Sequence, residues 1–220
     1  MNRKLLLSII LCSTLLCANE MGNYGYDIPN TSVNIGGYLD MSYDDKRENK
    51  FLFNDLALLV SGNHERFDFL SEIELSHLSL EGKSNNRSDV DINIERLQLN
   101  YELSDKQTLQ LGRFNSDIGY WNQTPILILE DTTTQPHMVG NFFPKATTGI
   151  LYQYNIDEEN SLSFTFQDNP DLSHQDNVIN VQRHKAFSYH GTQDDLSWSL
   201  SLGEYQEDNS FKANYVGLSS

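Results

Sequence analysis

Two arginines and a set of carboxylates are the residues of this chain best placed to act on a solute. Arg96 and Arg113 fall inside predicted strands, and Arg113 ends the strand over 108–114 beside Asp117. Such a pair either stiffens the base of a loop as an ordinary ion pair or forms one half of a transverse field across a pore constriction. The connection that follows carries Tyr120, Trp121, Glu130, Asp131 and Lys145. Its two aromatics suit loop packing, an interfacial belt or a stacking surface for a solute. A second set lies on strand faces: Asp68, Glu72 and Glu74 share one parity, and Asp91 and Glu95 another with Asp89 and Asn93. The Asp89–Asp91–Asn93–Glu95 spacing resembles a calcium loop. No glycine follows at the sharp-turn position, however, and strand alternation accounts for the spacing.

Other chemistries find no footing. His64, His77, His137, His174, His184 and His190 form neither a His-x-x-x-His nor a His-Glu-x-x-His pattern, so no metal site is expected. There is no Gly-x-Ser-x-Gly elbow for a serine nucleophile. Both cysteines, Cys12 and Cys17, precede residue 19. A chain cut after residue 18 has no thiol nucleophile, zinc-thiolate site or disulfide. No cofactor is expected, and the chain is not read as an enzyme.

The elements that must position these side chains are strands. Period-two patterns mark ten, at 33–43, 51–61, 66–80, 89–103, 108–114, 147–154, 161–166, 185–190, 196–202 and 211–218. The connections 44–50, 81–88, 115–146, 167–184 and 203–210 are each longer than the neighbouring 62–65, 104–107, 155–160 and 191–195. Long loops at one end and short turns at the other are the plan of an outer-membrane barrel, and a sandwich has no reason to keep it. The short connections are expected on the periplasmic side. In the strand over 89–103 the apolar set is Val90, Ile92 and Ile94, then Leu97, Leu99, Tyr101 and Leu103, so the phase flips near Glu95–Arg96 as a bulge would make it. Alternation alone leaves open whether the apolar face meets lipid or a soluble core.

Composition narrows the choice. Asn2-Arg3-Lys4 and the apolar run over 5–16 read as a secretory signal covering 1–18, with a lipoprotein cleavage at Cys17 as the second reading. Removal of 1–18 leaves 13 basic against 31 acidic residues, a net of −18, which repels nucleic acid. Eleven Tyr, eleven Phe and two Trp exclude a disordered acidic tail. Residues 19–30 read as a short periplasmic lead and 31–220 as one barrel domain. Signal, loop asymmetry and aromatic content favour the membrane barrel.

Two loops exceed what hairpins need. The stretch 167–184 is polar and reads as an exposed surface loop. The stretch 115–146 holds Ile118, Trp121, Ile126, Leu127, Ile128, Leu129, Phe142 and Phe143, and is expected to fold back and pack into the barrel mouth, with a short helical turn over 126–129.

Leu111-Gly112-Arg113-Phe114, Ile118-Gly119-Tyr120-Trp121-Asn122-Gln123-Thr124, Thr134-Gln135-Pro136 and Phe142-Phe143-Pro144 ahead of Thr148-Gly149 resemble porin-like bacterial outer-membrane proteins of the phosphate-selective-porin superfamily. The likeness is strongest over 109–154. It implies a barrel of about 16 or more strands with a constriction loop folded into the lumen. This chain is shorter and ends Tyr215-Val216-Gly217-Leu218-Ser219-Ser220 without a terminal aromatic residue. It is therefore expected to be the N-terminal portion of a longer protein, a small degenerate barrel being the alternative. Rows of lumen Arg and Lys are missing, so phosphate selectivity is not carried over.

The expectation is thus an all-β, antiparallel up-and-down transmembrane barrel, with about 10 strands in this chain. It would sit in the bacterial outer membrane and pass small hydrophilic solutes passively, its acidic lumen favouring cations. Expected partners are outer-membrane lipid and small hydrophilic solutes, with a homotrimer as a candidate assembly. An outer-membrane barrel enzyme of the lipid-hydrolase type and a soluble periplasmic binding module are the alternatives.

Overall fold

The computed structural model describes residues 25–43, 51–76, 91–119, 122, 142–173, 179–194, 196–208 and 210–219. It is all-β. Eleven strands form one antiparallel sheet in which every strand neighbours those next to it in sequence. They are β1 (Tyr26–Asp27), β2 (Val33–Tyr43), β3 (Phe51–His64), β4 (Phe67–Ser76), β5 (Asp91–Ser104), β6 (Gln107–Asn115), β7 (Ala146–Asn155), β8 (Asn160–Gln167), β9 (Val181–Gln193), β10 (Leu196–Glu207) and β11 (Lys212–Ser219). The order is that of an up-and-down meander, and it does not close on itself among the described residues.

The ten expected strands are all present. The addition is β1, two residues that pair Tyr26 with Ile35 and Asp27 with Asn34 in the stretch read as a polar lead. The short connections are tighter than expected, at 65–66, 105–106, 156–159 and 194–195. Glu65 and Asp194 open two of them with φ of 55° and 53°. That left-handed backbone lets a two-residue turn follow the twist of the strands it joins. The last residues of the expected third strand, 77–80, and the first of the fourth, 89–90, lie outside the described residues.

The chain divides into two compact units, Met1–Gly62 with Ser71–Ile94, and Asn63–Leu70 with Glu95–Ser220. Each unit obeys the same rule of polarity. In the first, Asn34, Glu72, Glu74 and Asn93 are buried, while Ile35, Leu39, Leu56, Leu58, Ile73 and Ile92 are exposed. In the second, Arg113, Thr147, Ser163, Thr165, Gln167, His184, Ser188 and Ser201 are buried, while Phe69, Leu97, Leu99, Ile150, Phe164, Phe166, Leu202, Val216 and Leu218 are exposed. In each unit most buried side chains are polar, with Ala57 and Leu59 in the first and Phe114, Ala146 and Leu151 in the second among the apolar exceptions, and the exposed strand positions are rich in large apolar residues. A soluble half-buried sheet has the opposite arrangement.

Two local devices set which side chain faces in. In β5 Ile92 is exposed and Asn93 buried, whereas further along Arg96 is buried and Leu97 and Leu99 are exposed. The exposed parity changes between 93 and 96, where the sequence pattern flips phase. In β6 the register pairs Leu111 with Leu99 and Arg113 with Leu97, yet Arg113 is fully buried where its partner Leu97 is exposed. Gly112 stands between them at φ +111°, and a Cβ there would lie 2.0 Å from the Leu97 carbonyl oxygen. A backbone that only glycine accepts readily redirects the strand and turns Arg113 inward.

Candidate functional site

The long connection after β6 starts by crossing the inner face of the second unit. The face it crosses is made of small residues. Register places Ser163 opposite Ser188, Ser188 opposite Ser201, and Ser201 opposite Gly217, one row running over β8, β9, β10 and β11. Side chains this small leave room for a strand-like segment above them. The Ser188 and Ser201 hydroxyls lie 2.6 and 3.3 Å from the Asp117 carbonyl oxygen. Ile118 covers Gly217, where an added Cβ would meet Ile118 Cγ2 at 3.5 Å. Residues 116–119 are therefore a strap seated on the wall.

Asp117 holds the strap through its side chain as well. Its carboxylate accepts from the Ser163 hydroxyl. The Nε2 atom of His190 lies 2.9 Å from both carboxylate oxygens. Ser116 adds a further anchor: its Oγ is 2.7 Å from Thr147 Oγ1, which is 2.9 Å from His184 Nδ1, and His184 Nε2 is 2.7 Å from the Tyr215 hydroxyl. Apolar contact completes the seat. Ile118, Ile179, Val181, Tyr205 and Tyr215 form a buried cluster, with Phe143 packed against it. The expectation that the long loop packs inward is met by its two ends. Phe143 is part of that packing, whereas Phe142 stays exposed. The helical turn expected over 126–129 lies outside the described residues.

Arg113 has a partner the sequence did not point to. It pairs with Asp171, with Nε to Oδ1 at 3.0 Å and Nη2 to Oδ2 at 3.3 Å. It also donates to the Ser173 carbonyl at 3.3 Å and to the Glu95 carbonyl, and its Nη1 lies 3.9 Å from Glu95 Oε2. Thr148 donates to Asp171 at 2.5 Å and takes the Leu172 amide at 3.1 Å. Side-chain exposures of 0% and 1% place the pair out of reach of water. Planar guanidinium and carboxylate bound edge to edge give both strength and orientation. The connection after β8 was read as an exposed surface loop. Asp168, Asn169, Pro170 and Leu172 are exposed, but Asp171, Ser173 and Ile179 are buried, so this loop too is drawn inward by Arg113.

No protein-family model matches this chain, and no curated protein matches its sequence. The likeness to porin-like barrels therefore rests on the motifs themselves. Of these, Leu111-Gly112-Arg113-Phe114 now has a physical reading. Gly112 aims Arg113, and Phe114, 1% exposed, closes the strand on the buried side.

The remaining expected residues fall as follows. Glu72 and Glu74 are buried in the first unit, and the Tyr38 hydroxyl lies 3.3 Å from Glu72 Oε1 and donates to Glu74. Asp68 is exposed, Arg96 is buried, and Glu95 is half-buried against Arg113. Lys145 is half-exposed, and its carbonyl accepts the Ser116 amide at 2.9 Å. Asp91 begins β5, but its side chain, with Tyr120, Trp121, Glu130 and Asp131, lies outside the described residues. Sequence reading missed His190, Asp171, Tyr38 and the serine row. The serines were visible as the polar face of their strands, but nothing local to them showed that they seat a loop.

Proposed function

We propose that this chain forms part or all of an outer-membrane β-barrel channel for passive diffusion of small hydrophilic solutes, with a lumen that favours cations. The observation that carries the reading is the reversed polarity of the sheet. Leucine, isoleucine, phenylalanine and valine stand exposed on the outer face, while Ser, Thr, Gln, Glu and Arg are buried on the inner one. In water this arrangement leaves Val216 and Leu218 68% and 79% exposed with nothing gained. In lipid it is the arrangement a barrel needs, with apolar residues toward acyl chains and polar ones toward a lumen. A soluble binding module would need an apolar interior, and most of the buried side chains among the described residues are polar, the cluster at the seat of the strap being the largest apolar grouping described.

On this reading the short connections face the periplasm and the strap narrows the lumen from one wall. Acidic side chains on the inner face, Glu72 and Glu74 in one unit and Asp117 in the other, supply the potential that draws cations. The test uses the full-length protein. It should fractionate with outer membranes, shift in gel mobility on heating, and carry a cation-selective current in planar bilayers under a salt gradient. Recovery as a soluble periplasmic protein without detergent would refute the proposal.

A further inference from the structure

The exposed face of β8–β11 is not apolar from end to end, and register lays it out in rows. Leu162, Tyr189, Leu200 and Leu218 form one row. Toward the long-loop ends of the strands, the next is Phe164, Phe187, Leu202 and Val216. Then the chemistry changes. The following row is Phe166, Lys185, Glu204 and Asn214, and the last is Arg183, Gln206 and Lys212. Each row lies about 7 Å beyond the one before. Arg183, Lys185 and Lys212 are all exposed. Of the other Lys and Arg from residue 95 on, Arg96 and Arg113 are buried, Lys106 lies in the 105–106 turn and Lys145 precedes β7. In a chain of net charge −16, the remaining three thus gather on one patch at the rim of an apolar band.

We propose that Arg183, Lys185 and Lys212 hold the phosphate of an anionic lipid in the outer leaflet, its acyl chains lying over Phe164, Leu202 and Val216. The proposal rests on the membrane reading and names a lipid that this face takes. On that reading the long-loop ends meet the outer leaflet. Charged side chains on a lipid-facing wall are tolerated near the interface and not at the bilayer centre, so the Lys185 row lies at headgroup depth. Two acids share the patch. Arg183 Nε is 2.7 Å from Asp168 Oδ1, and Lys185 Nζ is 3.8 Å from Glu204 Oε1. All four side chains are between 56% and 62% exposed, and ion pairs so open to solvent contribute little. They yield readily to a phosphate, to which arginine presents parallel N–H groups. Lys212 makes no ion pair among the described residues, which leaves the patch three cations against two carboxylates. Glu207 and Asp208 lie past the register shift that follows Gln206. The opposite rim of the same face differs. It carries Tyr189 and Trp198 with ring centroids 5.0 Å apart, and residues 188–199 include no Lys or Arg. Aromatic side chains suit a membrane interface without a phosphate site.

The experiment uses the full-length protein, delipidated in a neutral detergent, with native mass spectrometry to follow lipid bound per chain. The probe is lipid A, a bisphosphorylated and multiply acylated glucosamine disaccharide. Its dephosphorylated form and inorganic phosphate are the comparison arms. Each cation near an anionic lipid surface is worth about fivefold in affinity, so Lys212→Gln should weaken lipid A binding by about fivefold and the triple change to Gln at 183, 185 and 212 by about a hundredfold. Asp168→Asn with Glu204→Gln removes the competing carboxylates and should tighten binding. Lys106→Gln, in a turn at the other end of the strands, should leave it unchanged. Lys212→Gln breaks no described ion pair, and retention of the heat-modifiable gel form checks the fold of every variant. Equal binding by wild type, Lys212→Gln and the triple variant overturns the proposal. So does equal binding of the dephosphorylated lipid, or displacement of lipid A by inorganic phosphate, which would make the patch a site for the free ion. Each of these leaves the membrane reading intact while the protein still fractionates with outer membranes. Recovery of wild type as a soluble periplasmic protein without detergent overturns both.

Discussion

Arg113, near the end of β6, and Asp117, on the connection that follows, lie close in sequence, yet they solve opposite problems. Arg113 and Asp171 form a clasp: both side chains are sealed from water, the contact is two-pronged, and carbonyls of Glu95 and Ser173 take two further donors. Asp117 and His190 form a latch that stays partly wet and is supported by neutral hydroxyls. A buried guanidinium is tolerable only when each of its donors is matched, and then it fixes geometry more than it adds stability. The Asp117 carboxylate, 15% exposed, is held by Ser163 and His190 with water still within reach, so its seating is less sealed than that of the clasp. The clasp therefore reads as the part that holds two loops in place, and the latch as the part of the strap's seat that water still reaches.

The largest effect should come from opening the clasp. Arg113→Ala leaves Asp171 buried without its cation, and removal of one partner of a buried pair costs about 3–5 kcal/mol. The variant should unfold at lower urea and lose its heat-stable gel form. Replacing both partners together, Arg113→Met with Asp171→Leu, should recover much of the loss, because apolar groups of similar volume do not require pairing. Equal stability of Arg113→Ala and wild type would remove the distinction between clasp and latch.

The next effect tests how the clasp is aimed. Gly112→Ala puts a methyl group 2.0 Å from the Leu97 carbonyl oxygen at a φ of +111°. Strain of this kind costs about 1–3 kcal/mol, and relief requires β6 to move away from β5. The urea midpoint should fall, and hydrogen exchange should rise first at Gln98 and Arg113, the residues beside the clash. Exchange that rises uniformly along β6 would mean Gly112 does not direct Arg113.

How much of this was legible follows from the range of each interaction. Alternation over a few residues gave the strands, and even the phase change near Glu95–Arg96, because burial on a sheet is a local, period-two property. β9 was read as 185–190 and runs Val181–Gln193. Its outer positions include Arg183 and Lys185, so no apolar alternation marks its start, while the ladders to β8 and β10 extend it regardless of side chain. The strap was foreseen only as apolar content in a long loop. Its partners were not, because Asp117 reaches His190 across 73 residues and Arg113 reaches Asp171 across 58. Once the register is known, the serine row is plain. Before that, Ser163, Ser188 and Ser201 are three polar positions on three strands.

A smaller change sharpens the latch. Ser163→Ala removes one hydroxyl from the Asp117 carboxylate, at a site where the carboxylate keeps His190 and some water. A hydrogen bond to a charged group contributes about 1.5–3 kcal/mol when well buried, and partial exposure brings the expected loss to about 1 kcal/mol. A Cβ at Gly119 would lie 3.9 Å from Ser219 Cβ, so Gly119→Cys with Ser219→Cys should crosslink where the strap is seated. Ser163→Ala should slow that crosslink by about fivefold, in line with that energy. A crosslink unaffected by Ser163→Ala would place the holding power in the other anchors, His190, Ser116, Ile118 and the strap backbone.

The smallest effect belongs to a carboxylate with neither clasp nor latch. Asp157 sits in the 156–159 turn, fully exposed. Its Oδ1 accepts from Asn160 Nδ2 at 2.8 Å and from the Glu159 amide at 3.0 Å. The Asn160 bond, followed by the Glu159 amide, holds its pKa below the ordinary value of 3.8. Both contacts favour the charged form, so the sign is fixed. A group whose folded pKa is depressed stabilises the fold above its unfolded pKa, and that contribution fades as pH falls through the folded value. The turn should therefore be intact at pH 5 and above, and loosen only below about 4, where an unperturbed aspartate is already half protonated. Carbon-detected titration of Asp157 in micelles should place its midpoint under that of a free aspartate, and Asn160→Ala should move it back up. The change in global stability should be hard to detect, since solvent screens an exposed carboxylate. A midpoint at or above the ordinary value would show that the two bonds do not persist. The short turn would then be held by the Ile156 amide on the Asn160 carbonyl at 2.9 Å and by Lys106 Nζ on the Ile156 carbonyl at 2.8 Å.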